Sequence, residues 1–320
     1  MRIYIIRRLL LMVPTVFFVS LIVFMLIRII PGNVVDIMIS QFGMAGTTQV
    51  IDRKAVEHEL GWDVPFYIQY GKWVEGIVVH GDFGKSLWHQ QSVLDEIKER
   101  WPVTLELGIL GILVSQAIAI PIGILSALRQ DTWSDYVGRS LAIMAIALPS
   151  FWVGTLVIVY PSIWWGYMPS ISLISFTTDP IGNLRMFIIP AIILGMSMAG
   201  GTMRIMRTMM LEVLRQDYIR TAWAKGLRER TVVVRHALKN ALIPIITIIG
   251  YQLPLVVGGT VWIEQIFSLP GMGRLMIDAT TQRDYTVVSG IMVIYATAMV
   301  LVNLGVDLTY GLVDPRIQYK

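Results

Sequence analysis

The sequence predicts an all-α polytopic membrane protein with six transmembrane helices, and three observations carry that prediction. Of 320 residues, 55% are hydrophobic and 15% charged, against roughly 45–50% and about 25% in soluble domains, which argues against a water-soluble globule or a disordered chain. Six stretches are long and apolar enough to cross about 30 Å of hydrocarbon at about 1.5 Å per residue. They cover 9–30, 103–128, 141–165, 186–203, 241–263 and 286–306. Lys and Arg are distributed unequally between alternate connections, with 16 in the N-terminus, the 129–140 link, the 204–240 segment and the tail after 306, and 10 in the other set. Setting aside the long 31–102 segment, the bias is 16 against 4, which puts both termini in the cytoplasm. The net charge of +4 therefore reads as orientation in a bilayer, not as a nucleic-acid footprint. There is no Cys, so disulfides, thiol catalysis and thiolate metal sites are excluded.

The first span follows Arg2, Arg7 and Arg8 and ends in Ile-Ile-Pro31-Gly32, not at a small-residue cleavage site; its length also exceeds a signal h-region, so it reads as a retained helix. Segment 31–102 reads as an extracytoplasmic helical module. Residues 52–61 resemble a short capped helix, Phe66, Tyr70, Trp73, Val74 and Ile77 share one helical face, and Ser92-Val-Leu-Asp95 resembles a capping box. Residues 103–320 form the core. Within it, 161–185 is polar, Ser/Thr-rich and punctuated by Pro, an external loop. Ala119, Gly123 and Ala127 form a small face for close helix packing.

The cytoplasmic segment 204–240 carries nine bases against Glu212, Asp217 and Glu229. The blandest reading is a basic loop touching anionic lipid. Its internal pattern asks for more: 209–225 holds no Pro or Gly and reads as one helix, Gly226 interrupts it, and 229–240 reads as a second helix with Pro244 opening the next span. A helix, a glycine turn and a second short helix at a membrane surface make a docking feature. Thr221, Ala222 and Ala224 are small and permit close approach of a partner, Trp223 and Leu227 offer an apolar anchor, Gly226 permits positive φ, and Arg220 and Lys225 suit acidic rims.

Tyr218-Ile-Arg-Thr-Ala-Trp-Ala-Lys-Gly-Leu227 followed by Arg235-His-Ala-Leu-Lys-Asn-Ala-Leu-Ile-Pro244 resembles the coupling segment, or EAA loop, of ABC importer permeases. More narrowly, the chain resembles the B-type membrane subunit of the dipeptide/oligopeptide/nickel family. The likeness extends through Arg7-Arg8-Leu9-Leu10, Leu60-Gly61-Trp62-Asp63-Val64-Pro65, Gly81-Asp82-Phe83-Gly84-Lys85-Ser86, Ala147-Leu-Pro149-Ser-Phe151, Glu264-Gln-Ile-Phe267 with Pro270-Gly-Met-Gly273, and Tyr310-Gly-Leu-Val-Asp314-Pro315-Arg316. Two positions depart from the pattern: Thr221 stands where the loop often has Glu, and Trp223 where the peptide branch often has Arg. The resemblance implies a type I importer permease fold with an extra N-terminal helix, seated in the plasma (inner) membrane. It also implies a second, homologous permease subunit, two ATP-binding subunits carrying ATP and Mg, and an extracytoplasmic solute-binding protein.

Residues 81–86 imitate a phosphate-binding loop, but Val79 stands where the first Gly of a Walker pattern belongs, so the energy source is expected on another polypeptide and no cofactor on this chain. His58, His80, His89 and His236 are scattered and specify no metal. Pro149, Gly258 and Gly259 are candidate cavity-lining hinges, and Glu106, about one turn into its span, divides between a structural and a pathway role. Peptide is the expected cargo. Nickel chelates or oligosaccharides through the same machinery, or an ion-coupled secondary transporter, remain alternatives; a membrane enzyme lacks a buried catalytic constellation.

Overall fold

The computed structural model describes residues 2–29, 63–166 and 173–313, and all described secondary structure apart from one isolated bridge is helical. The expected helix at 52–61, the Pro31-Gly32 stop and the Asp314-Pro315-Arg316 motif lie outside those residues. In chain order the helices are α1 (Arg2–Ile29), α2 (Phe66–Glu75), α3 (Val93–Leu128), α4 (Trp133–Ala147), α5 (Ser150–Trp165) and α6 (Pro180–Leu214). They continue with α7 (Asp217–Ala224), α8 (Glu229–Thr231), α9 (Lys239–Gly259), α10 (Val261–Ile266), α11 (Met272–Thr281) and α12 (Tyr285–Val313).

Among the described residues four helical stretches are long and apolar enough to cross a membrane: Val93–Leu128, Pro180–Leu214, Glu229–Pro254 and Tyr285–Val306. A fifth arises if α4 and α5 count as one span; they are bent by 92° at Leu148–Pro149. The expected straight span at 141–165 is thus two helices. Proline explains the break, because Pro149 has no N–H for the turn before it and sits at the cap of α5 with ψ 129°. In α1 the described apolar stretch is Leu9–Met25.

Two compact units divide the chain, one built mainly from Arg100–Arg274 and the other from Ile6–Glu99 with Leu275–Thr297. In the first, α3, α6 and α9 pack through small residues. A Cβ on Gly195 of α6 would lie 2.7 Å from the Gly111 carbonyl oxygen of α3, and one on Gly123 would lie 2.7 Å from Met206 Cβ. Close backbone approach of this kind drives helix association in lipid, where apolar transfer from water contributes little. Ala119 and Ala127 are buried, so the small face read at 119, 123 and 127 is a packing seam. Between α3, α6 and α9, Gln116 Nε2 donates to Gln252 Oε1 at 3.0 Å, and Gln252 Nε2 to Thr202 Oγ1 at 3.1 Å.

In the second unit Tyr70 and Trp73 of α2 stack edgewise or tilted on Phe24 of α1, at 5.2 and 5.7 Å between centroids, and Ser20 shares a hydrogen bond of 2.8 Å with the Tyr70 hydroxyl. The face expected at 66, 70, 73, 74 and 77 forms, although Phe66 itself stays exposed. Asp95 and Glu96 N–H groups reach the Ser92 carbonyl, and α3 then runs unbroken through Pro102 into the hydrophobic span.

Candidate functional site

The basic segment folds as an elbow on the end of the first unit. α6 does not run on through residue 225 as expected. It stops at Leu214, its last turn tightened by Arg215 N–H to Glu212 and Gln216 N–H to Val213, and Gln216 turns extended (φ −72°, ψ 148°) before α7 begins. Nothing local demands this stop. Burial does: the bend lets Ile219 (0% exposed) and Ala222 (6%) seat in a core with Ala127, Met206, Met210 and Val232.

The far end of α7 follows its sequence. Gly226 has φ +72°, its N–H donates to Trp223 O at 2.9 Å, and Leu227 N–H donates to Ala222 O at 3.4 Å. This paired pattern is a Schellman C-cap, and it needs a left-handed residue where a side chain would strain the backbone. The chain then re-enters helix at Glu229 and stays helical through Pro244. A π-type stretch, Val232–Leu238, lies inside it, so the break expected before Pro244 is absent. Asn240 Nδ2 donates to the Tyr218 hydroxyl at 2.8 Å, tying α7 to this return helix.

The bend and the tie divide the candidate residues by direction. Arg220, Thr221, Trp223, Ala224, Lys225, Gly226 and Leu227 are exposed, with Trp223 at 44% and Tyr218 at 43%. Ala222, expected to admit a partner, instead faces this chain's own core, where its small size serves internal packing. Tyr218 belongs to the motif, yet the sequence assigns it no role. Its outward place follows from the rotation of α7, which Ile219 and Ala222 set by turning their own side inward. Arg220 pairs with Asp217 at 3.3 Å and Thr221 Oγ1 donates to Asp217 O, contacts on the solvent side that leave Lys225 for other anions.

The other candidates do not gather there. Pro149 stands at the 92° bend. Gly258 and Gly259 are the last residues of α9. Glu106 is half-buried in α3. His80 and His89 are exposed, and His236 sits half-buried within the π-type stretch of the elbow.

Two motifs that carry little chemistry by themselves are joints in the fold. Glu264, fully buried, accepts from Thr104 Oγ1 (2.8 Å), Thr260 Oγ1 (2.7 Å), Gly273 N–H (2.7 Å) and Arg274 N–H (3.1 Å). Its carboxylate caps the start of α11, and Gly271 leaves room for it, since a Cβ there would lie 2.3 Å from Oε2. In the second unit Asp284 accepts from Ser86 Oγ at 2.6 Å and Leu87 N–H at 3.0 Å. Residues 81–86, which imitate a nucleotide loop, thus anchor to the start of α12.

The family described as binding-protein-dependent transport system inner membrane component matches residues 119–319, and its N-terminal companion matches residues 1–108. The dipeptide transport system permease protein DppB of Escherichia coli K12 is 38% identical over 341 aligned positions, covering 99% of each chain. The oligopeptide transport system permease protein AppB of Bacillus subtilis 168 is 38% identical over 319 positions, again 99% of each. A solved chain of the MetNI methionine ABC transporter in inward-facing form shares the fold, with TM-score 0.55 and 16% identity over 68% of this chain and 96% of that one. This chain therefore belongs to the binding-protein-dependent transport system inner membrane component family.

Proposed function

We propose that the chain is a permease subunit of an ATP-driven importer, forming half of a translocation pathway for peptides that a solute-binding protein delivers from outside. The observation that carries this is the elbow at 217–227. Its inner face is locked by Ile219 and Ala222, its end is fixed by the cap at Gly226, and Tyr218, Trp223 and Lys225 remain exposed on the outer face. A buried lock and a fixed end let a push on the outer face reach α6 and α9 without dissipating in a flexible loop.

On this reading two ATP-binding subunits, holding ATP and Mg, dock on that elbow and on its counterpart in a second, homologous permease. Trp223 seats in a groove of the ATPase, and Arg220 and Lys225 steer the approach. Closure of the ATPases moves the elbow, and the spans rock around the pathway with Pro149 and the Gly258-Gly259 end of α9 as flexing points. Six spans, cytoplasmic termini and an extracytoplasmic module at 31–102 complete the picture. The chain catalyses no reaction itself. Peptide cargo follows from the names of the two relatives, and a permissive path leaves selection to the binding protein.

The test is reconstitution of the chain with its partner permease, the candidate ATPases and a binding protein loaded with dipeptide. Uptake into proteoliposomes requires ATP on the ATPase side and is insensitive to collapse of ion gradients. Uptake driven by an ion gradient without ATP would overturn the assignment.

A further inference from the structure

A groove of about 410 Å³ opens between α3, α4 and α6 in the first unit. Its two ends differ in chemistry. Toward the ends of these helices that carry the basic connections, three arginines line it: Arg139 on α4, and Arg204 and Arg207 on α6. In the other direction the walls are apolar, made by Ile122, Ala142, Ile143, Ile146 and Met203.

The arginines are not equivalent. Arg207 is neutralised from behind the groove by Asp135, which is fully buried and accepts from Arg207 Nε and Nη2 at 2.7 Å each. Arg139 and Arg204 are paired with no carboxylate among the described residues; Arg139 lies 5.8 Å from the ring of its own neighbour Tyr136. Among the described residues no acid lines the groove. Two uncompensated guanidinium groups at one end and an apolar channel running from them match a molecule with one anionic head and one hydrocarbon tail. In a membrane protein that molecule is at hand. We propose that this groove is a binding site for an anionic phospholipid, its phosphate between Arg139 and Arg204 and an acyl chain along Ile143, Ile146 and Met203.

The Asp135–Arg207 pair gives the site its floor. It holds α4 against α6, with Ser126 of α3 donating to the same carboxylate, so a lipid lodged there bridges the three helices that already meet at that pair.

Native mass spectrometry of the intact chain in detergent tests this with palmitoyl-oleoyl phosphatidylglycerol, phosphatidylcholine of the same acyl chains, and inorganic phosphate as a competitor. Phosphatidylglycerol binds in preference, phosphate fails to displace it, and the Arg139→Gln/Arg204→Gln variant binds it about thirtyfold more weakly, the factor expected of two basic side chains at an anionic lipid. Arg185→Gln, at the other end of α6, retains it. A photoreactive group at position Ile143 in native membranes forms a lipid adduct. Equal binding of the two lipids, displacement by phosphate, retention of phosphatidylglycerol by the double variant at unchanged melting temperature, or adducts to protein only, would each overturn the proposal.

Discussion

Glu264 and Asp135 are buried carboxylates that are satisfied in different ways. Glu264 meets two threonine hydroxyls and two backbone N–H groups, so it acts as a cap and a strut between α3, α10 and α11. Glu264→Gln turns an amide donor toward some of these donors and is expected to cost about 2–3 kcal/mol, read from denaturation in detergent, with loss of order at 267–273. Asp135 instead meets a guanidinium in a two-point contact. Asp135→Asn leaves Arg207 without a counter-charge and is expected to cost about 3 kcal/mol, whereas Asp135→Leu with Arg207→Met recovers most of it, because a shape-filling apolar pair avoids burying charge at all. A double variant no more stable than the single one would show that the pair is not the source of the loss. Both acids are visible in the sequence, but their full set of partners is not: Thr104 stands 160 positions from Glu264 and Arg207 stands 72 from Asp135.

At the scale of the element, the elbow separates two effects that its sequence blends. Trp223 is exposed and its removal touches little within the chain, so Trp223→Ala is expected to lower ATPase co-purification about tenfold while the melting temperature of the isolated chain stays put. Ala222→Trp acts by a different route. Ala222 is packed in the core, and a Trp there is expected to lower the melting temperature before any partner is added. If Ala222→Trp left stability unchanged, the inward rotation of α7 would be wrong. Gly226→Pro cannot adopt φ +72° and removes the N–H that bonds Trp223 O, so the cap is lost and the elbow uncouples. The glycine turn is legible in the sequence because few residues tolerate that φ. The stop at Arg215 is not, because it is made by what Ile219 must reach and by no residue that breaks a helix.

For the whole molecule, the absence of Cys makes topology directly measurable. Single cysteines at Lys225 and His89, both exposed, are expected to react with a membrane-impermeant maleimide from opposite sides of sealed vesicles, Lys225 from the cytoplasmic side. Labelling of both from one side would invert the charge-bias argument. What the sequence by itself determined is the medium and the family: long apolar runs with few charges permit only helices spanning lipid, and the ordered motifs from Arg7 to Arg316 resemble one class of importer subunit. Tertiary structure decided the rest. It carried the return helix unbroken through Pro244, turned Ala222 inward, and converted a nucleotide-loop imitation into the Ser86–Asp284 joint, whereas the 92° bend at Pro149 is local proline chemistry. The reason is one of range. Hydropathy and turn chemistry act over a few residues, whereas the direction of a helix face and the partner of a buried acid are set by contacts between segments far apart in the chain.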